Sequence, residues 1–71
     1  MNNFIKLTDL DKGTVVILNS TFIQSITEQT NGSYIIMTFK ENHSHFKVKE
    51  TVEEIMKQIK KSNTFYTTTY R

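Results

Sequence analysis

The sequence predicts an α+β fold: a small antiparallel β-sheet of four to five strands followed by one C-terminal helix packed on a sheet face. Three observations point there. Short blocks dense in β-branched and aromatic residues recur between Phe4 and Lys49. An Asn31-Gly32 pair, a strong hairpin signal, separates two of those blocks. Sustained helical periodicity begins only after Thr51.

The first block, Phe4 to Leu7 (FIKL), reads as a short strand, and Asp9, Asp11 and Gly13 mark the turn that follows it. Thr14 to Asn19 (TVVILN) lacks helix caps and reads as a strand buried on both faces or central in the sheet. Phe22, Ile23 and Ile26 have helical spacing, but the polar run behind them and Asn31-Gly32 favour a strand entering a type I′ hairpin. Ser33 to Phe39 (SYIIMTF) is the strand that leaves it, and KENHS predicts a second, looser reversal. His45 to Lys49 alternates strictly. Phe46 and Val48 face the core, while His45, Lys47 and Lys49 form a wet, basic row.

The helix is the best-specified element. Thr51 and Glu54 have capping-box spacing. Glu53 and Glu54 in the first turn and Lys60 and Lys61 in the last both complement the helix dipole. Val52, Ile55, Met56 and Ile59 form one apolar stripe, which a helix this short must bury to persist in water. The sheet is the expected cover. The expected core is Ile5, Leu7, Val15, Ile17, Ile26, Ile36, Phe46, Val48, Val52, Ile55, Met56 and Ile59. Residues 1–61 are assigned to a single domain and residues 62–71 to an aromatic, threonine-rich C-terminal tail.

The 71 residues allow one domain, and a chain of this length buries only about 60% of its unfolded surface. It contains no cysteine to reinforce the fold, and no apolar run approaches the roughly 20 residues of a membrane span. The N-terminus carries no secretory pattern, so a cytoplasmic location is expected. Charge is uneven. Residues 1–35 carry Lys6 and Lys12 against Asp9, Asp11 and Glu28, a net −1. Residues 36–71 carry six lysines and Arg71 against four glutamates, a net +3. A basic half can steer an anionic partner, although a solvated lysine-rich surface has the same composition.

No catalytic constellation is found. The serines lie in no nucleophile-elbow context. His43 and His45 could begin a metal site, but no spacing supplies further ligands, so neither a metal nor a cofactor is expected. Asp9 and Asp11 read as turn caps rather than acid–base partners. Two groups remain as candidate contacts. Lys40, His45, Lys47, Lys49 and Lys57 could meet an anionic partner. In the tail, Phe65, Tyr66, Tyr70 and Arg71 could stack on unpaired bases, add an edge strand, or fold back over the helix.

Three segments carry a family resemblance: Ile5-Lys6-Leu7-Thr8-Asp9-Leu10, Asn19 after the second strand, and Val48-Lys49-Glu50-Thr51-Val52-Glu53-Glu54-Ile55. Over about residues 4–60 the chain resembles the FlbD/SwrD family of small bacterial proteins linked to flagella and swarming. The resemblance implies an accessory binding role and supplies no catalytic residues. A more distant likeness is to the CsrA class of RNA-binding regulators, and small phage-encoded inhibitors of host machines are similar in length and composition. The expected function is therefore a non-enzymatic protein-binding accessory module acting through a sheet edge or helix face. The alternative is an RNA- or DNA-contacting regulator using the basic strand face. A homodimer is compatible with either.

Overall fold

A computed structural model of the chain describes residues 3–62. Its elements are β1 (Phe4–Thr8), β2 (Val15–Asn19), a single 3-10 turn (Ser20–Phe22), β3 (Ile23–Gln29), β4 (Gly32–Phe39), β5 (Asn42–Val48) and α1 (Val52–Ser62). The α+β class and the order of elements are as expected. The five strands, however, divide into two antiparallel sheets, β1-β2 and β3-β4-β5.

The sheets join at one corner. Asp9 bridges Val48, the Leu10 N–H donates to the Lys47 carbonyl at 2.8 Å, and the Lys49 N–H donates to the Thr8 carbonyl at 2.9 Å. Glu50 reinforces that corner from three directions. Its carboxylate accepts from the Thr8 N–H and the Thr8 hydroxyl, both at 2.9 Å, and its carbonyl accepts from the buried Ser33 hydroxyl at 2.8 Å.

The core is built from Ile5, Leu7, Leu18, Ile35, Val48 and Ile55, with Val16, Ile23, Ile26, Met37, Phe46 and Ile59 packed against it. Five expected core positions are corrected. Val15 and Ile17 are each 61% exposed and Met56 is 49% exposed, while Ile36, beside the fully buried Ile35, and Val52 are only half-buried and lie outside the core cluster. β2 and β4 carry consecutive apolar residues, so alternation within the strand does not say which parity faces inward. Pairing decides it: Leu18 lies opposite Ile5 and Val16 opposite Leu7, which turns Val15 and Ile17 outward. On α1 the buried side runs through Val52, Ile55 and Ile59, and Met56, about 100° round from Ile55, falls on the flank.

Both hairpins differ in detail from expectation. Gln29 pairs with Gly32, so the first loop is Thr30-Asn31, and Asn31 does not have the positive φ of a type I′ centre. Gly32 serves another purpose. At φ 152° it lies against the Val48 and Lys49 backbone, where a Cβ would overlap the Val48 carbonyl. The second reversal is tight rather than loose: Phe39 pairs with Asn42 across Lys40-Glu41, with Lys40 at φ 59°. Asn42, His43 and Ser44 therefore belong to β5.

The helix start is as the sequence predicts. The Thr51 N–H donates to Glu54 Oε1 at 2.9 Å, and the Glu54 N–H returns a bond to the Thr51 hydroxyl at 3.1 Å. α1 packs along β1 and reaches β3. Its Gln58 side chain clasps the edge of β1, accepting from the Lys6 N–H at 2.9 Å and donating to the Lys6 carbonyl at 2.8 Å. No helix among the described residues is long and apolar enough to cross a membrane.

Candidate functional site

Two surfaces compete for the role of contact site. The first is the solvated face of β3-β4-β5. Alternation along β5 places His45 and Lys47 on that face, both exposed, and adds His43, which the sequence puts in the preceding reversal. His45 Nδ1 is hydrogen-bonded to the Tyr34 hydroxyl, and the Thr38 hydroxyl meets His43 Nδ1 at 3.1 Å. The row is not uniformly basic, because Asp9 and Asp11 line the same shallow hollow as Tyr34, His45 and Lys47. Asp9 also caps its own turn: its carboxylate accepts from the Asp11 N–H at 2.9 Å and the Lys12 N–H at 2.8 Å.

The other candidate cations are not gathered there. Lys40 sits at the tip of the β4-β5 hairpin, its ammonium 5.6 Å from the Phe39 ring centroid and roughly 20 Å along the strand from Lys47. Lys49 is exposed just beyond β5. Lys57 is exposed on α1, whose buried Ile55 joins the core on the opposite side of the sheet from His45 and Lys47. The tail candidates Phe65, Tyr66, Tyr70 and Arg71 lie outside the described residues. Among the described residues no group of three His, Cys, Asp or Glu side chains could hold a metal ion.

The second surface is the outer edge of β2, which the sequence reading did not single out. Its position follows from the ladder with β1. The Lys6 and Thr8 backbone groups point away from β2, toward Gln58, Glu50 and Lys49. Residues that face each other in an antiparallel pair share the same sense, so their partners Ile17 and Val15 point their N–H and C=O groups away from β1, and the Asn19 N–H, opposite Phe4, does the same while its carbonyl caps the 3-10 turn. Among the described residues no strand pairs with that edge.

An apolar groove of about 280 Å³ runs beside it. Ile17, Leu18 and Asn19 form one wall, and Phe22, Met37, Phe39 and Phe46 form the rest, with Asn42 and Ser44 as polar rim. Phe22 and Phe39 meet edge to face, their centroids 4.9 Å apart. Unpaired backbone next to an apolar trough is the geometry that accepts an added strand: the main chain supplies hydrogen bonds, and the trough takes alternate side chains. A signal for it did exist in the sequence, since VVILN carries none of the charges or prolines that usually protect a free edge.

No curated protein and no solved structure matches the chain. A family model does, that of FlbD, flagellar and swarming motility proteins, over residues 4–65. The matched span runs from the first residue of β1 past the end of α1, and so takes in both sheets, the Glu50 corner and the bare β2 edge. The chain belongs to the FlbD family of flagellar and swarming motility proteins.

Proposed function

We propose that this chain is a non-enzymatic accessory module of flagellar or swarming motility that works by protein contact, with the outer edge of β2 and its groove as the contact surface. The observation that carries this reading is the bare, uncharged edge. Val15 and Ile17 present backbone groups with no strand beside them among the described residues, next to a trough walled by four aromatic or methionine side chains. An extended polypeptide segment gains both hydrogen bonds and apolar burial there.

The alternative, a nucleic acid held on the basic row, has less support. A phosphate backbone needs several cations on one face. Here Lys40, Lys47 and Lys57 are dispersed over a hairpin tip, a strand face and a helix, and Asp9 and Asp11 share the hollow with Lys47.

The test is complementation of swarming in a strain lacking the gene. Ile17→Lys, which puts a charge on the edge, is expected to abolish complementation at normal protein level. Lys47→Glu combined with Lys49→Glu is expected to leave it intact. The reverse pattern, together with retention of RNA that weakens steeply as salt rises, would replace this reading with the nucleic-acid one.

A further inference from the structure

We infer that the strand accepted by β2 is β2 of a second copy, giving a two-fold homodimer with a continuous β1-β2-β2-β1 sheet. This names the occupant of the edge and so rests on the contact surface proposed above. Four features of the molecule favour a second copy.

The first is register. An antiparallel pair centred on Ile17 places Ile17 opposite Ile17, and Val15 opposite Asn19 in both directions. Val15 and Ile17 point both their N–H and C=O groups outward, and Asn19 offers its N–H, its carbonyl being the cap of the 3-10 turn. The two Ile17 residues then exchange two hydrogen bonds, and each Asn19 N–H donates to the Val15 carbonyl of the other copy. An isolated peptide strand would satisfy β2 but leave its own far edge open.

The second is charge. A self-paired edge sets each residue against itself or its symmetry mate, so any charge within it would face a like charge. VVILN contains none. The nearest cation on that sheet face, Lys6, is one strand further back, so the two Lys6 side chains would stand three strand spacings apart, roughly 14 Å, beyond the Debye length at physiological salt.

The third is the sheet itself. β1-β2 has only two strands, the count at which a β-ribbon is marginal, and self-pairing makes it four. The fourth is apolar exposure. Val15 and Ile17, at 61% each, flank the two-fold and would cover one another as a β-branched cross-strand cluster.

The experiment is the mass of the full chain in solution, by sedimentation or light scattering across a dilution series. It is paired with hydrogen exchange and with two variants whose fold is checked by circular dichroism. The wild type is expected at twice the 8.3 kDa chain mass at the upper concentrations, with the Ile17 amide protected there and released on dilution. Ile17→Lys, which opposes two ammonium groups on the axis, is expected to give a folded monomer. Met56→Lys, on the exposed flank of α1, is expected to stay dimeric.

A single-chain mass at every concentration overturns the inference, as does a dimer that survives Ile17→Lys with the Ile17 amide still exchanging freely. If the wild type is monomeric while Ile17→Lys still abolishes swarming, only the homodimer fails and the edge keeps its role with a different strand. If Ile17→Lys changes neither mass nor swarming, the contact surface fails as well.

Discussion

The two edges of the β1-β2 sheet are treated in opposite ways. At β1, every outward backbone group of Lys6 and Thr8 is taken: the Gln58 amide clasps Lys6 on both sides, the Glu50 carboxylate holds the Thr8 N–H, and the Lys49 N–H caps the Thr8 carbonyl. At β2, one strand away, Val15 and Ile17 have no strand beside them among the described residues. The other sheet is less exposed at its edges. β3 is kinked by a register shift between Ile23 and Ser25, and β5 carries Lys47 and is covered at one end by Asp9 and Leu10. Among the described residues, one edge is shielded by side chains from 42 and 52 positions away, and the other has neither charge nor cover. The difference is why β2, and not β1, is the edge proposed for contact.

The largest way to break the comparison is to remove the cover. Ile55 is fully buried and anchors α1 to the core. Ile55→Ala should cost about 2–5 kcal/mol through lost burial and the cavity left behind. For a domain this small that is a large share of a total stability of roughly 5–15 kcal/mol. Urea denaturation read by circular dichroism should show the midpoint falling sharply. Unchanged stability would mean that α1 is not the lid on β1.

A more selective change is Gln58→Ala, which strips the clasp and leaves the helix stripe intact. The loss should be about 1 kcal/mol, at the modest end for two hydrogen bonds because water can reach the exposed Lys6 groups. The sharper signature is association. With the Lys6 groups freed, β1 is partly open while Glu50 and Lys49 still hold Thr8, and the variant should form some species larger than a dimer, visible by light scattering. Thr51→Ala comes next, at about 1 kcal/mol, because the Glu54 N–H loses its capping acceptor. It frays the first turn, four residues before Ile55 and seven before Gln58, and leaves β2 untouched. Its effect should therefore appear in helical signal and thermal midpoint, with no change in oligomer mass.

What could be read from the sequence follows how far apart the determinants lie. The capping box and the acidic and basic ends of α1 are local, and residues 51 to 61 state them directly. Strict alternation in His45-Phe46-Lys47-Val48 likewise fixes which side of β5 is wet. β2 and β4 carry no such rhythm. In VVIL and YIIM adjacent apolar residues are equivalent until pairing chooses Val16, Leu18 and Ile35 for the interior. The Lys40-Glu41 loop was unreadable for a different reason: a positive φ favours glycine or asparagine, and a lysine sits there instead. The contrast between the two edges was least legible of all, because both Gln58 and Glu50 act on residues far away in the chain.

The smallest predicted effect is the most discriminating between the two edges. Ile17→Thr keeps β-branching and strand propensity while removing apolar reach from a side chain already 61% exposed. Nothing in the monomer depends on that reach, so its folding stability should stay within about 0.5 kcal/mol of wild type. In the dimer Ile17 lies on the two-fold and meets its own copy, and a cross-strand pair of this kind is worth roughly 0.2–1 kcal/mol. The dissociation constant of the dimer should then rise by up to about fivefold, and the shift should appear only in the concentration dependence of mass and thermal midpoint. A matching substitution on the closed side, Thr8→Val, removes the hydroxyl bond to Glu50 and should do the converse: lower folding stability by about 1 kcal/mol with no effect on self-association. If both substitutions act on folding stability alone, the two edges are alike in function, and β2 is a strand that happens to lie at the surface.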